Sequence, residues 1–121
     1  MKEIKSGRIQ ILTEQEIHEL YSRPIFNQIE REEYFSLDPS IKKILTKMGK
    51  IETKIYLILL IGYFRAKPVV AQFKLREVKQ DVDYIYATHF PNRKPKYPFI
   101  AKSTRATLIA KMHEILGFSR L

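Results

Sequence analysis

Hydrophobic side chains recur at helical spacing along the chain, and each run is bounded by residues that start or stop helices. The clearest run follows Asp38, which can cap a helix, and Pro39, which suits a first turn. Its apolar positions fall on one helix face and are Ile41, Ile44, Leu45 and Met48. We expect Gly49 to end this helix in a left-handed conformation.

Two earlier helices are predicted from capping boxes, in which two residues three apart satisfy each other's backbone N–H groups. Thr13 and Glu16 form the first box, and this helix ends before Pro24. Its apolar face consists of Ile17, Leu20 and Tyr21, with Leu12 placed to pack across the cap. Asn27 and Glu30 form the second box.

Two segments in the middle of the chain are also predicted to be helical. Residues 51–66 are apolar on nearly all sides, and their length favours a buried central helix over a strand, with Pro68 after its end. The next helix has an inward stripe of Leu75, Val78, Val82 and Ile85. Its outward positions are Arg76, Lys79, Asp81 and Asp83.

The C-terminal part begins with a basic loop and ends with a helix. Residues 91–102 contain three prolines and therefore predict an extended loop. Ser103 or Thr104 is expected to cap the last helix, and Gly117 to end it. The inward positions of this helix are Leu108, Ile109, Met112, Ile115 and Leu116.

Six helices and no convincing strand predict an all-α fold, a compact bundle formed by residues 1–121 as a single domain. A strict helix-turn-helix joins its helices by three or four residues, which is shorter than the basic loop. The connection around Gly49 has a suitable length, but the apolar helix after it cannot leave the core. We therefore expect a helix-turn-helix variant with an extended basic loop before the last helix.

Composition adds a strong charge asymmetry. The chain has 22 Lys and Arg against 13 Asp and Glu, a formal charge of +9, and no Cys, which excludes disulfide frameworks and cysteine-containing zinc sites. Residues 91–121 hold seven basic side chains and one acidic one, Glu114. Such asymmetry favours a polyanionic partner, the alternative being that the charge only keeps the domain soluble.

Candidate catalytic and metal-binding residues are few. His18, His89 and His113 lie far apart and belong to no metal-binding pair, while Asp81 and Asp83 point about 200° apart on a helix. There is no glycine-rich phosphate loop and no Gly-x-Ser-x-Gly sequence. We therefore predict no catalytic site, metal site or cofactor in this chain.

No targeting or membrane segment is predicted either. The longest apolar run, residues 55–64, is shorter than the ~20 residues that cross a bilayer. The N-terminal residues lack the apolar stretch of a signal peptide. An intracellular, cytoplasmic location is the expectation.

The basic loop and the last helix are the candidate binding surface. A helix start offers free N–H groups, and hydroxyl and cationic side chains there can grip phosphates or reach base edges in a major groove. We predict phosphate contacts from Arg93, Lys94, Lys96, Lys102, Arg105 and Lys111. Ser103, Thr104 and Thr107 are predicted to lie near phosphates or base edges. Tyr97 is placed to stack on a base or to anchor the loop, and the alternative for the helix is an ordinary polar outer face.

Four strings of residues add a family resemblance. They are residues 8–24, residues 31–37 with Tyr34-Phe35, residues 60–67 with Gly62-Tyr63-Phe64, and Thr104-Arg105 ahead of residues 115–118. In this order and spacing they resemble the N-terminal domain of Tn-three family transposases over nearly the whole chain. Most of these residues are of the kind that packs helices together, so the strings indicate a fold more strongly than a DNA contact.

The resemblance implies that the chain is a piece of a longer protein that moves a bacterial transposon by a replicative route. The N-terminal region of that family is helical and recognises the terminal inverted repeats of the element, which implies double-stranded DNA as the partner and a location at the bacterial nucleoid. A later domain of the family holds an Asp-Asp-Glu triad and magnesium and cuts and joins strands. None of that triad lies in this chain.

A second hypothesis from the same sequence is a protein interaction module that joins transposase subunits. It uses the apolar helix of residues 51–66 or aromatic residues expected to be exposed, such as Tyr34, Phe35 and Phe99.

Overall fold

The computed structural model describes residues 13–16 and 22–117, and within these residues the fold is all-α with no strand. The helices are α1 (Gln28–Tyr34), α2 (Pro39–Thr46), α3 (Ile51–Ala66), α4 (Lys79–His89) and α5 (Lys102–Ile115). A single 3-10 turn, Leu75–Glu77, precedes α4. Residues 14–16 are also helical. The predicted continuation through Ile17, His18 and Tyr21, and the packing of Leu12, lie outside the described residues.

The predicted caps at Thr13, Asn27 and Asp38 are confirmed. The backbone N–H of Glu16 donates to Thr13 Oγ1 at 3.1 Å, and the N–H of Thr13 donates to Glu16 Oε1 at 2.8 Å. Asn27 and Glu30 exchange the same pair of bonds at the start of α1. At α2 the carboxylate of Asp38 accepts from the N–H of Ile41 at 2.9 Å, and this bond holds the pKa of Asp38 below its usual value.

Three predicted helix boundaries, one C-terminal and two N-terminal, are wrong. Gly49 does not adopt a left-handed conformation, because the last turn of α2 tightens instead: the N–H groups of Lys47 and Met48 bind carbonyls three residues back. The inward stripe starting at Leu75 is split, since the side chain of Glu77 binds the N–H of Lys74 and closes a separate 3-10 turn.

The start of α5 is the third. Neither Ser103 nor Thr104 caps this helix, which begins at Lys102 after Ala101 without a side-chain cap. We attribute this early start to Arg105, whose tertiary hydrogen bonds hold the first turn in place. At the other end the prediction is confirmed, because Gly117 follows α5 with a φ of 78°.

Helix α3 is the buried centre of the bundle, as predicted. Nine consecutive residues, Ile55 to Tyr63, are buried from solvent on every side. Helix α5 runs parallel to α3. Two contacts show this direction: Arg105 binds Tyr56 near the start of both helices, and His113 packs against Phe64 near their ends. Helix α4 runs antiparallel to it, with its first turn at Tyr63.

A buried carboxylate joins three helices. Asp81 was predicted to face solvent, but it is 6% exposed. Its carboxylate accepts from Arg31 Nε of α1 at 2.7 Å and from the hydroxyl of Tyr63 of α3. The prediction is wrong because both partners come from elsewhere in the chain, where the periodicity of α4 cannot show them. Burial, followed by the charge of Asp81, raises the pKa of Tyr63.

Glycine at position 62 allows α3 to approach the end of α1. A Cβ atom at Gly62 would lie 2.4 Å from two ring carbons of Phe35 and 3.0 Å from the carbonyl oxygen of Tyr34. The ring of Phe35 is itself 1% exposed and packs edge-on against Phe26 and Tyr63. The ring therefore has no room to move away.

Replacing Gly62→Ala is expected to destabilise the domain. Overpacking a core typically costs about 1–3 kcal/mol, which exceeds the ~1 kcal/mol that alanine gains over glycine in helix propensity. We expect a net loss of up to about 2 kcal/mol in the free energy of unfolding, measured by urea denaturation. Gly49→Ala is the matched control, because nothing lies within 4 Å of its Cβ position. Equal stability of the two variants would contradict this account.

Replacing Asp81→Ala is expected to be more damaging than replacing its neighbour Asp83. Removing one partner of a buried ion pair leaves the other charge unsatisfied, which typically costs about 3–5 kcal/mol. Asp83→Ala removes an exposed carboxylate of the same helix together with its hydrogen bond from Tyr97, and it should cost only about 1 kcal/mol. Thermal unfolding of both variants at one pH compares their stabilities. Similar losses of stability would show that the buried ion pair of Asp81 is no more important than an exposed carboxylate.

Candidate nucleic-acid interface

The segment between α4 and α5 is an irregular basic loop, as predicted. Residues 90–101 contain neither helix nor strand, and Arg93, Lys94 and Lys96 are exposed. One short-range bond, from the N–H of Arg93 to the carbonyl of Phe90 at 3.0 Å, turns the chain as it leaves α4. The loop then presents its cations to solvent.

Tyr97 anchors this loop to the start of α4. Its hydroxyl donates to the carboxylate of Asp83, and the ammonium of Lys79 lies 5.1 Å from the centre of its ring. The bond to Asp83 favours the protonated phenol and raises the pKa of Tyr97 to about 12. The two possibilities for Tyr97 from the sequence were base stacking and anchoring, and the structure gives it the anchoring contact.

The start of α5 continues the basic surface. Lys102, Ser103 and Thr107 are exposed, and the Thr107 hydroxyl donates to the carbonyl of Ser103 at 3.2 Å. Thr104 and Lys111, predicted on the outward face, are both half-buried. Of the residues predicted to contact DNA on this helix, the exposed ones therefore lie in its first two turns.

Arg105 has a different environment from the other predicted cations. Its Nε donates to the hydroxyl of Tyr56 at 2.9 Å, and its Nη2 donates to the carbonyl of Ala71 at 2.9 Å. The side chain is half-buried. It fastens α5 to α3 and to the segment after α3, a structural role that the linear sequence did not indicate.

Lysines from other elements extend the basic loop at both ends. Near its start, Arg93 shares a cleft of about 510 Å³ with Lys50 and Lys54. Near its end, Lys102 and Arg105 share a cleft of about 470 Å³ with Lys74. Sequence reasoning missed all three lysines, because they are distant in the chain and no spacing pattern links them to the loop.

Among the described residues, the cations of this surface form no ion pair with a carboxylate. Within residues 13–16 and 22–117, the recorded salt bridge is the one between Arg31 and Asp81. Glu52 lines the first cleft and Glu77 the second, so each cleft holds three cations and one carboxylate. The surface therefore keeps a positive potential.

Metal ligands, a titrating histidine and membrane-spanning helices are the other features that could indicate a function. No three His, Asp or Glu side chains there come together as metal ligands. The ring of His89 is bonded to the carbonyl of Phe35 at 3.1 Å, and burial lowers its pKa. Nor does any helix of these residues combine the length and apolar character that a bilayer crossing requires.

Replacing Tyr97→Phe is expected to loosen the loop without unfolding the domain. Losing one hydrogen bond should raise trypsin cleavage after Arg93 and Lys96 by about two- to fivefold. Tyr84→Phe is the control, since that hydroxyl makes no hydrogen bond to a described residue. The contribution of the bond is present below pH ~10, the ordinary pKa of tyrosine, and is lost as the pH rises towards 12. Identical cleavage rates for the two variants would contradict an anchoring role.

Comparison with known proteins gives one family. Residues 11–121 match the family described as Domain of unknown function (DUF4158), a domain that occurs in transposase-like proteins. No curated protein and no solved structure matches the chain. Since the match covers nearly the whole sequence, the chain belongs to the DUF4158 family.

Proposed function

We propose that this domain binds double-stranded DNA through the basic loop and the start of α5. The observation that carries the proposal is the exposure of Arg93, Lys94 and Lys96 on a loop tied to the fold by Tyr97, with Lys102 exposed where α5 begins. An extended chain advances by at most about 3.6 Å per residue, and each strand of a DNA duplex carries one phosphate per ~3.4 Å of helix axis. Cations spaced along such a loop can follow a phosphate backbone.

The residues divide into contacts and supports. Arg93, Lys94, Lys96 and Lys102 bind phosphates, and Lys50, Lys54 and Lys74 prolong this track at both ends. Ser103 and Thr107 lie where they can reach a phosphate or a base edge, and Thr104 and Lys111 contribute from half-buried positions. Arg105 is a positioning residue that sets the orientation of the first turn of α5.

The DNA we propose is the terminal inverted repeat of a transposon. Two findings support this choice: the sequence resembles the N-terminal domain of Tn-three family transposases, and the family of the chain occurs in transposase-like proteins. Strand cleavage and joining, with magnesium, are then the task of another domain of such a transposase. In this proposal the present domain selects the DNA and performs no chemistry.

The alternative, a module that joins transposase subunits, has less support. Two of the surfaces it needs lie inside the fold, because the middle of α3 and the ring of Phe35 are buried. Tyr34 is half-buried against Phe26. Phe99, at 79% exposure, is the residue of that set that faces solvent.

Duplex binding is expected to weaken steeply with salt. Each neutralised phosphate contributes about −0.9 to the slope of log K against log salt, so the four main contacts give roughly −4, and the three flanking lysines extend this to about −6. Lys94→Ala should weaken all duplexes alike and reduce the steepness of this slope by about 1. Fluorescence anisotropy with a terminal-repeat duplex and a scrambled duplex of equal length measures both quantities.

Lys43→Ala is the matched control for this experiment. Lys43 is an exposed lysine of α2 that lines neither of the clefts next to the loop, so its removal should leave the slope unchanged. Binding that is absent or insensitive to salt would reject DNA binding. Equal affinity for the terminal-repeat and scrambled duplexes would keep DNA binding and reject recognition of transposon ends.

A further inference from the structure

An aromatic cleft lies beside the start of α5, with core side chains on one wall and the exposed ring of Phe99 on another. Its apolar lining includes Tyr56, Phe73 and Phe99, and its cations are Lys74, Lys102 and Arg105. The volume, about 470 Å³, falls within the roughly 300–1,000 Å³ of sites that hold small molecules. The cleft is therefore large enough for one planar ring and its substituents.

Phe99 is the unexplained residue of this cleft. It is 79% exposed, whereas Tyr97 and Ile100 on either side of it in the loop pack against the core. A phenylalanine held in solvent next to a cavity offers an open ring face. Neither the packing of the bundle nor the proposed phosphate contacts explain why the ring of Phe99 is exposed at this position.

The charges around the cleft favour an anionic occupant. Three cations and one carboxylate, that of Glu77, line it. The carboxylate already accepts from the N–H of Lys74 at 3.0 Å, and Arg105 is bonded to Tyr56 and Ala71. Lys74 and Lys102 are both exposed and supply positive charge at the cleft. An occupant that joins a flat aromatic ring to an anionic group fits both parts of the lining.

We infer that the aromatic cleft binds one unpaired nucleotide, with its base stacked on Phe99 and its phosphate beside Lys74 and Lys102. This inference rests on the proposed DNA binding and names a further feature of the ligand. A base inside a duplex has both faces covered by its neighbours, so it cannot offer a face to Phe99. A nucleotide that is already unpaired, at an overhang or a bulge, enters with little cost of unstacking.

The position of the cleft fits this role. It adjoins Lys102, where the basic loop meets α5, so a strand whose phosphates follow the loop arrives at the cleft. Stacking on an aromatic side chain accepts any base, because every base has a π face. The cleft is thus expected to read the strand's unpaired state and to be tolerant of its sequence.

The test uses the full chain and three probes: a blunt duplex, the same duplex with one unpaired 2-aminopurine at its end, and a short single strand with 2-aminopurine. We expect the unpaired nucleotide to increase affinity by about 5- to 100-fold over the blunt duplex. The 2-aminopurine fluorescence should be quenched on binding because the base becomes stacked. Phe99→Ala should abolish both effects, and Phe99→Tyr should restore them.

Ile29→Ala is the control, since Ile29 is 73% exposed and does not line the cleft. It should keep the preference for the unpaired nucleotide and the quenching of 2-aminopurine.

Equal affinity of the unmodified chain for the blunt and overhanging duplexes, or a preference that survives Phe99→Ala, would overturn the inference and leave duplex binding intact. Binding of the single strand with quenching, in the absence of any duplex binding, would retain the cleft and reject the duplex proposal. Displacement of 2-aminopurine by a short Asp-Phe-Asp peptide at equal concentration would instead indicate a protein ligand and overturn the inference.

Discussion

The arrangement of the helices depends on one buried carboxylate. Asp81 is held between the guanidinium of Arg31 and the hydroxyl of Tyr63, and so it joins α1, α3 and α4 at a single point. A buried ion pair adds little net stability compared with apolar packing, but it tolerates few alternative arrangements. It therefore restricts how α4 can lie against α3, while the apolar surface of α3 supplies most of the driving force for folding.

This restriction extends to the binding surface through the next aspartate. Asp81 and Asp83 are two residues apart on α4, so when the first faces the core the second faces solvent. Asp83 is then in place to accept from Tyr97, and the loop that carries Arg93, Lys94 and Lys96 is attached to a fixed point. The orientation of a buried side chain thus determines where exposed cations lie.

The sequence predicted the elements well and their connections poorly. Asn27 with Glu30, Asp38 before Pro39, and the apolar run of α3 signal local structure, because each depends on residues close together in the chain. The burial of Asp81 and the structural bonds of Arg105 depend on partners from other helices, which periodicity does not reveal. The exposed loop cations were predictable because they are close together in the chain. Lys50 and Lys74 were not, because only the fold brings them next to the loop.

The parallel course of α3 and α5 has an electrostatic consequence of its own. Each helix carries a partial positive charge at its amino terminus. The amino termini of α3, at Ile51, and of α5, at Lys102, have no side-chain cap. Parallel helices point their dipoles the same way, so their backbones reinforce the sign of the lysine side chains at that end of the bundle. The antiparallel α4 offsets part of this field. The peptide groups themselves thus contribute to the attraction of an anion, and this contribution persists when any single lysine is removed.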